Sequence, residues 1–233
     1  DVADAVVATA PLGIADGMQR CAVAAAALDA LAAVVGASTH VRDHLIDRGI
    51  HLELCAALKQ EEGPNEATAV EQQRLTLRAL VPFFAKPVPP ARLSVVSAVP
   101  WERFLIPTSP CVVDAMELLA ALSEGPIDVL QAVLNANVLP VIVNCAKAGV
   151  AVFGCLRVLG NMCTGDDIQT QAVINAGGVD VLASQLTSDV PSSRKEASWA
   201  LSNIAAGTVD QIDALIKHPT IVRDVLANFT CAW

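Results

Sequence analysis

The chain repeats itself with a period of 40 to 44 residues. Four segments align with one another, and their starts are separated by 88, 40 and 42 residues: LIDRGIHLEL (45–54), VLNANVLPVI (133–142), VINAGGVDVL (173–182) and LIKHPTIVRD (215–224). The first separation equals two periods of 44, so a further copy is expected between the first two segments. Glycines that follow long apolar stretches have nearly the same spacing: Gly36, Gly125, Gly165 and Gly207. We expect them to end helices in the left-handed conformation.

Each period has the pattern of three helices. In the best-marked copy, a short helix is predicted over 167–175, an apolar helix over 179–186 and a long third helix over 194–206. Ser193 and Glu196 predict a capping box at the start of that third helix, and Ser109-Pro110 predicts another third-helix start. Third helices are expected to end near residues 35, 84, 123, 163 and 206, with Pro87, Pro89 and Pro90 breaking the chain after the second.

A period of this length with three helices per copy is typical of armadillo and HEAT repeats. We therefore predict an all-α solenoid of about five three-helix repeats. The composition fits, because 54% of the residues are hydrophobic, mostly small aliphatics, and only 3% are aromatic. The predicted domain is a single solenoid over 1–233. Its approximate units are 1–36, 37–85, 86–125, 126–165, 166–207 and 208–233, of which the first and the last are partial.

Charge and composition exclude several function classes. A net charge of -9 argues against binding nucleic acid through its phosphates. The longest uncharged run, 129–146, contains amides and a proline, so no membrane span is predicted. The seven cysteines form no CxxC motif, which argues against a disulfide framework or a cysteine zinc site. We expect buried free thiols in a reducing compartment.

No cofactor, metal or catalytic motif is predicted. His40 and His44 have the i, i+4 spacing of some zinc ligands, but the glutamate of an HExxH motif is missing between them. No nucleophile-elbow, phosphate-loop or dinucleotide-binding pattern is present. The sequence therefore predicts a protein that is not an enzyme.

Two segments carry a family resemblance: RVLGNMCTGDDIQTQAVINAGG (157–178) and RKEASWALSNIAAGTVDQIDALI (194–216). They closely resemble importin-alpha, the armadillo adaptor that carries nuclear-localisation-signal cargo, and weaker similarity covers the rest of the chain. The resemblance implies a right-handed superhelical armadillo solenoid that works in cytoplasm and nucleus. It also implies importin-beta as a partner, bound through a segment outside this chain.

In the family, a Trp and an Asn four residues later lie on the third helices and line a groove for basic peptides. Indole faces stack on lysine stems, and Asn amides hydrogen-bond an extended backbone. Carried over residue by residue, the resemblance implies peptide-binding residues in the last two complete units, with Cys163 acting through its carbonyl: Arg157, Asn161, Cys163, Asp167, Thr170, Glu196, Trp199 and Asn203. Asp114 matches a similar acid two units before Glu196.

The first three units depart from this pattern. The Trp, Asn and Asp positions of the family are filled there by other residues: Asp29, Leu77, Glu117, Ala33, Val81, Ala121 and Ala37. Trp101 and Trp233 lie outside the third-helix positions. We therefore expect the family's major cargo site to be absent or weakened and binding to be concentrated at the minor-site repeats.

Structural alternatives stay open for several of these residues. Trp199 can be a core residue, the Asn amides can bridge repeats, Arg157 can pair with an acid, and Glu196 can serve the helix cap. Two functional hypotheses follow. The first is a nuclear import adaptor that binds basic nuclear-localisation-signal peptides in an acidic groove, and the second is a diverged armadillo scaffold that no longer carries import cargo.

Overall fold

The computed structural model of the chain describes residues 17–59, 66–85 and 91–230. Within these ranges every regular element is helical, and no β-strand occurs. The predicted all-α class is therefore confirmed. The prolines at 87, 89 and 90 lie outside the described residues, as does Trp233.

The chain divides into two compact units. The first runs to Phe104 and includes Ser109–Leu122, and the second consists of Leu105–Thr108 and the residues from Ser123 onward. The helical elements of the first unit are α1 (Gly17–Ala37), α2 (Thr39–Asp47), α3 (Ile50–Ala57), α4 (Glu66–Leu80), the 3-10 turn Val81–Phe84, α5 (Arg92–Ala98), α6 (Trp101–Phe104) and α7 (Val112–Ser123). Helix α7 ends at the boundary between the two units.

The second unit shows the short, apolar and long helices of the predicted repeat twice in succession. Its helices are α8 (Ile127–Asn135), α9 (Leu139–Lys147), α10 (Val152–Met162), α11 (Asp167–Asn175), α12 (Gly178–Gln185), α13 (Pro191–Ala205), α14 (Val209–Ile216) and α15 (Ile221–Thr230). The short helix predicted over 167–175 is α11 without any shift.

The third helix of each predicted repeat ends close to its expected residue. The observed ends, including the 3-10 turn after α4, are Ala37, Phe84, Ser123, Met162 and Ala205. Each lies within two residues of the prediction, so the period of the helices is confirmed. The boundaries of the six units remain predictions.

The two predicted third-helix starts are wrong by two or three residues. Helix α13 begins at Pro191, with Val190 as its N-cap, so Ser193 is a buried residue inside the helix and cannot cap it. Proline suits the first helical position because its missing N–H would have no partner there. Helix α7 begins at Val112, after a turn in which the Ser109 hydroxyl accepts from the Cys111 amide.

The glycines after the third helices are not left-handed, in contrast to the prediction. Among the described residues, the glycines with positive φ are Gly49, Gly149 and Gly177, which precede or lie near the starts of other helices. Gly165 and Gly207 have a different reason to lack a side chain. A Cβ at Gly165 would lie 2.9 Å from Oε1 of Gln169, and one at Gly207 would collide with Oε1 of Gln211.

These two buried glutamines join successive first helices of the second unit. Gln169 completes a capping box with Asp166, and its Nε2 donates to Oε1 of Gln131 on α8 at 2.8 Å. Gln211 completes a capping box with Thr208, and its Nε2 donates to the carbonyl of Asp167 on α11 at 2.9 Å. Each glutamine therefore caps its own helix and bonds to the previous repeat.

Buried arginines satisfy helix-end carbonyls in the first unit. Arg92 donates to the carbonyls of Phe84 at 2.7 Å and Leu122 at 3.2 Å, and Arg42 donates to the carbonyl of Ala85 at 2.7 Å. Burial, and then the nearby charge of Arg42, lower the pKa of Arg92 to about 10. The ends of the third helices of this unit are thus bonded to guanidinium groups as well as to their own turns.

The five cysteines with described side chains are buried free thiols. Burial raises the pKa of Cys55, Cys155 and Cys163 to about 12 and also raises the pKa of Cys111 and Cys145. The reactive thiolate form is therefore disfavoured at these positions.

Among the described residues, no single helix has both the length and the apolar composition of a membrane span. Two pairs have the required length and apolar composition only when joined across sharp bends, of 119° between Ala22–Ala37 and Thr39–Asp47 and of 78° between Ile127–Asn135 and Leu139–Lys147.

His51 should make stability depend on pH. The imidazole is buried in α3, its Nδ1 has no hydrogen-bond partner among the described residues, and burial lowers its pKa below 6.5. The unfolded chain then binds more protons below about pH 6.5, so stability present above that pH is lost as the pH falls towards the lowered pKa. Urea titrations should show a loss of up to about 1.4 kcal/mol per pH unit from this group.

The matched controls for this prediction are His51→Leu and His40→Gln. His51→Leu should flatten the pH dependence between pH 7 and 5.5, whereas His40→Gln, at an exposed position, should leave it unchanged. Equal pH profiles for the wild type and His51→Leu would refute the assignment.

Candidate functional site

Two neighbouring third helices of the second unit carry most of the predicted site residues. Helices α10 and α13 pack along one another. Arg157 and Asn161 lie on α10, Trp199 and Asn203 lie on α13, and the i, i+4 spacing places each pair on one face of its helix. We call the part formed by Trp199 and Asn203, with Gly160 beneath them, the α10–α13 surface.

Trp199 is not a core residue. Its side chain is 38% exposed, and the six-membered edge of its indole lies on Gly160 of α10. One side of the ring system therefore rests on the neighbouring helix while part of it reaches solvent. This arrangement leaves aromatic surface available to an incoming aliphatic or cationic chain.

Asn203 lies one turn after Trp199 and also contacts Gly160. Its Nδ2 donates to the Gly160 carbonyl at 3.4 Å, and the side chain remains half-buried. An Asn amide has two N–H donors and a carbonyl acceptor, so this single contact leaves hydrogen-bonding capacity for another backbone.

The residues predicted on α10 are bonded within the chain. Asn161 is 6% exposed, and its Nδ2 donates to Oγ of Ser123 at 2.9 Å. Arg157 forms an ion pair with Glu124. Both residues thus take the structural roles that the sequence left open beside peptide binding.

The residues around the start of α11 differ in accessibility. Asp167 is exposed at the first position of the helix, and its carboxylate forms no ion pair within the described part of the chain. Thr170, one turn later, is only 4% exposed. The Cys163 thiol is buried, so only its backbone is a candidate for contact. Asp166 caps the helix.

Glu196 lies on α13, three residues before Trp199. The side chain is half-buried, and it makes no ion pair with any described residue. Since the helix begins at Pro191, Glu196 has no capping role. Together with Asp167, it supplies carboxylates in this unit that no arginine or lysine of the described chain neutralises.

Asp114 belongs to the first unit, whereas the other candidates belong to the second, and its carboxylate is already paired. Nε of Arg74 lies 2.9 Å from Oδ2, and Nε of Arg78 lies 3.6 Å from Oδ1. Asp114 is itself buried. A peptide lysine would have to displace two internal guanidinium groups to reach it.

The other third-helix positions of the first unit offer no aromatic or amide groups. Asp29 and Glu117 are exposed, but Leu77 is fully buried, so it does not occupy the exposed position at which a Trp was expected. The exposed residue nearest to it on α4 is Arg78, which pairs with Asp114.

No cluster of three or more His, Cys, Asp or Glu side chains suited to a metal is found among the described residues. His40 and His44 are exposed on α2. The buried glutamines and Gly160 were missed at the sequence level. The D-x-x-Q and T-x-x-Q spacings at 166–169 and 208–211 were visible signals for the glutamines.

The armadillo/beta-catenin-like repeat family matches residues 165–206. Importin subunit alpha-1a of Oryza sativa subsp. japonica is 35% identical over 185 residues, which cover 77% of this chain and 34% of the relative. Importin subunit alpha-8 of Arabidopsis thaliana is 31% identical over 178 residues, covering 74% of this chain and 38% of the relative. The chain is an armadillo-repeat relative of importin-alpha. It spans about a third of the length of these curated relatives.

Solved structures agree on the fold. An engineered protein superposes with a TM-score of 0.79 at 23% identity, covering 99% of this chain and 90% of that chain. A designed armadillo repeat protein in complex with the peptide (KR)4 superposes with a TM-score of 0.74 at 18% identity, covering 99% and 98%. The predicted armadillo solenoid class and the resemblance to importin-alpha are therefore confirmed.

The family match covers the last complete repeat of this importin-alpha relative. Residues 165–206 include Asp167, Thr170, Glu196, Trp199 and Asn203. Arg157, Asn161 and Cys163 lie just before the match, and Asp114 lies well outside it. Trp199 and Asn203 of the α10–α13 surface thus lie within the matched segment, and Gly160 lies before it.

Proposed function

We propose that the chain is a non-enzymatic adaptor that binds extended, lysine- and arginine-rich peptides at the α10–α13 surface. The observation that carries this proposal is the pairing of a partly exposed Trp199 with Asn203 one turn later, both resting on Gly160. An indole face and an amide at this spacing suit a lysine stem and an adjacent peptide backbone.

The charges of the second unit support basic partners. Asp167 and Glu196 form no ion pair within the described residues, and Glu196 lies three residues before Trp199 on α13. The net charge of the chain is -9, which favours encounter with cationic peptides. A designed protein of the same fold is found with the peptide (KR)4, as its name states.

Within this proposal the site consists of Glu196, Trp199, Asn203 and Asp167, with the Cys163 carbonyl as a further acceptor. Thr170 is buried, so it would contact a lysine only at the bottom of the site. Asn161 and Arg157 act by shaping the surface through Ser123 and Glu124. The first unit contributes little, because Asp114 is already paired.

The names of the relatives extend the proposal to a biological role. Both curated relatives described above are importin alpha subunits. We propose nuclear-localisation-signal cargo as the peptide class, the cytoplasm and the nucleus as the locations, and importin-beta as a partner that binds a segment outside this chain.

A calorimetric titration tests the proposal directly. A Lys/Arg-rich nuclear-localisation-signal peptide should bind at low salt, and a matched peptide with every Lys and Arg replaced by Gln should not. Raising the salt should weaken binding, because the attraction is between charges. Absence of heat with the basic peptide at low salt, under conditions in which the chain is folded, would refute peptide binding.

A second candidate is a diverged armadillo scaffold that binds other protein surfaces and no import cargo. It is favoured by the first unit, where arginines occupy the Asp114 carboxylate and Leu77 is buried. The two candidates differ in the titration above, since only the adaptor should discriminate between the basic peptide and its Gln-substituted control.

The variant Asp114→Asn tests whether the first unit contributes to peptide binding. Because the carboxylate is occupied by Arg74 and Arg78, we expect peptide affinity to change by less than about twofold. The two partly exposed arginines lose their shared partner, so the free energy of unfolding should fall by about 1 kcal/mol. A tenfold loss of affinity in titration calorimetry would instead show that Asp114 is a peptide-binding residue.

A further inference from the structure

Gly160 occupies a position where glycine is costly. It is buried within α10, and a glycine in a helix interior is destabilising by about 1 kcal/mol relative to alanine. It has no positive φ that would require glycine. The reason for its presence must therefore lie in what a side chain would contact.

The missing side chain makes room for the indole of Trp199. A Cβ at Gly160 would lie 2.6 Å from Cζ3 and 2.8 Å from Cε3 of that ring. Both distances are far shorter than a normal carbon–carbon contact of about 3.5–4.0 Å. The third neighbour, Cβ of Ala200, would be at an ordinary 3.5 Å. Of these neighbours, only the indole is thus too close to a Cβ at residue 160.

The backbone of the same residue contacts the second group of the surface. The Gly160 carbonyl accepts the hydrogen bond from Nδ2 of Asn203 at 3.4 Å. One residue of α10 therefore contacts both groups of α13 that the proposed function uses, one through the absence of Cβ and the other through a carbonyl.

We infer that Gly160 is a positioning residue for peptide recognition: it lets the six-membered edge of the Trp199 ring pack against α10 and orients the Asn203 amide beside it. The inference rests on the proposed function for its consequence in binding. A lysine stem stacks only on an indole face that is held in place, since an unseated ring must be ordered again on binding. A methyl group at residue 160 would lift the ring off α10.

The test is a thermodynamic cycle of Gly160→Ala and Trp199→Ala. In the wild type, Gly160→Ala should lower the melting temperature and weaken binding of a Lys/Arg-rich peptide about fivefold or more, as expected for residues in direct contact. In the Trp199→Ala background, the added methyl group fits. There Gly160→Ala should raise the melting temperature by about 2 °C, the usual effect of replacing a helical glycine, with no further loss of affinity.

Fluorine NMR of the chain labelled with 5-fluorotryptophan reports on ring position itself. The chain has three Trp, so the resonance of Trp199 is the one that disappears in Trp199→Ala. Gly160→Ala should shift this resonance and leave that of the buried Trp101 in place. Gly36→Ala is the control, because a Cβ there would meet only Cβ of Pro82 at 3.9 Å in the other unit. It should change neither the Trp199 resonance nor the affinity.

The outcomes separate this inference from the proposed function. If the wild type binds no basic peptide, the proposed function fails, and the melting temperatures and the fluorine resonance still decide whether Gly160 seats the ring. If Gly160→Ala lowers the melting temperature equally with and without the indole, or leaves the Trp199 resonance unmoved, the positioning role is overturned.

Discussion

Trp199→Ala is expected to weaken binding of a Lys/Arg-rich peptide by about 1–3 kcal/mol, or roughly 5- to 150-fold in the dissociation constant. The expectation follows from the partial exposure of the indole and from its packing against Gly160. Aromatic anchors held in this way bury a large area on binding at little cost in conformational entropy. Titration calorimetry with the Lys/Arg-rich peptide at low salt measures the effect.

Trp101→Phe is the matched control for this prediction. Trp101 is 3% exposed, and its Nε1 donates to the Val96 carbonyl at 2.8 Å in the first unit. Loss of that bond should lower the melting temperature and leave peptide affinity unchanged. An affinity for Trp199→Ala equal to that of the wild type would remove Trp199 from the binding surface, whatever its effect on stability.

The sequence predicts the helices better than the contacts between them. The period of 40 to 44 residues placed the ends of five third helices within two residues, because helix ends follow from local signals. The sequence also predicts Trp199 and Asn203 on one helix face, since the i, i+4 spacing is a local property. The starts of α7 and α13 were misplaced, because Pro191 takes the first helical position of α13 ahead of Ser193, and the Ser109 hydroxyl is bonded in a turn that precedes α7.

Contacts across repeats could not be read from the sequence. Gly160 resembles any helical glycine until the neighbouring indole is in place. Asp114 matches a peptide-binding acid, yet its partner Arg74 lies 40 residues away on another helix. The missing Trp and Asn residues therefore gave only part of the difference between the first unit and the family pattern. The pairing of Asp114 with Arg74 is a second difference, which only the structure shows.

The acidic site candidates of the two units differ in whether they are already paired within the chain. In the first, the carboxylate of Asp114 neutralises internal arginines. In the second, Asp167 and Glu196 form no ion pair within the described residues. A basic peptide gains more from a carboxylate that has no competing internal cation. This difference, more than total charge, is the physical reason for proposing binding at the α10–α13 surface rather than at Asp114.

Gln211→Leu is expected to lower the free energy of unfolding by about 2–4 kcal/mol. The Gln211 side chain is buried, its Oε1 accepts from the Thr208 amide at 3.1 Å, and its Nε2 donates to the Asp167 carbonyl at 2.9 Å. Leucine fills similar space but leaves one donor and one acceptor without partners. Each such loss costs about 1–3 kcal/mol when the group is shielded from water.

Two further variants isolate the bond between repeats. Gln171→Ala removes a side-chain bond to Asn175 within the same exposed helix surface and should cost no more than about 0.5 kcal/mol. Thr208→Ala removes the hydroxyl that accepts from the Gln211 amide, leaves the bond to Asp167 in place, and should cost about 1 kcal/mol. Urea denaturation of the three variants measures the order. A loss for Gln211→Leu no larger than that for Thr208→Ala would mean that the Gln211–Asp167 bond adds nothing to the stacking of α14 on α11.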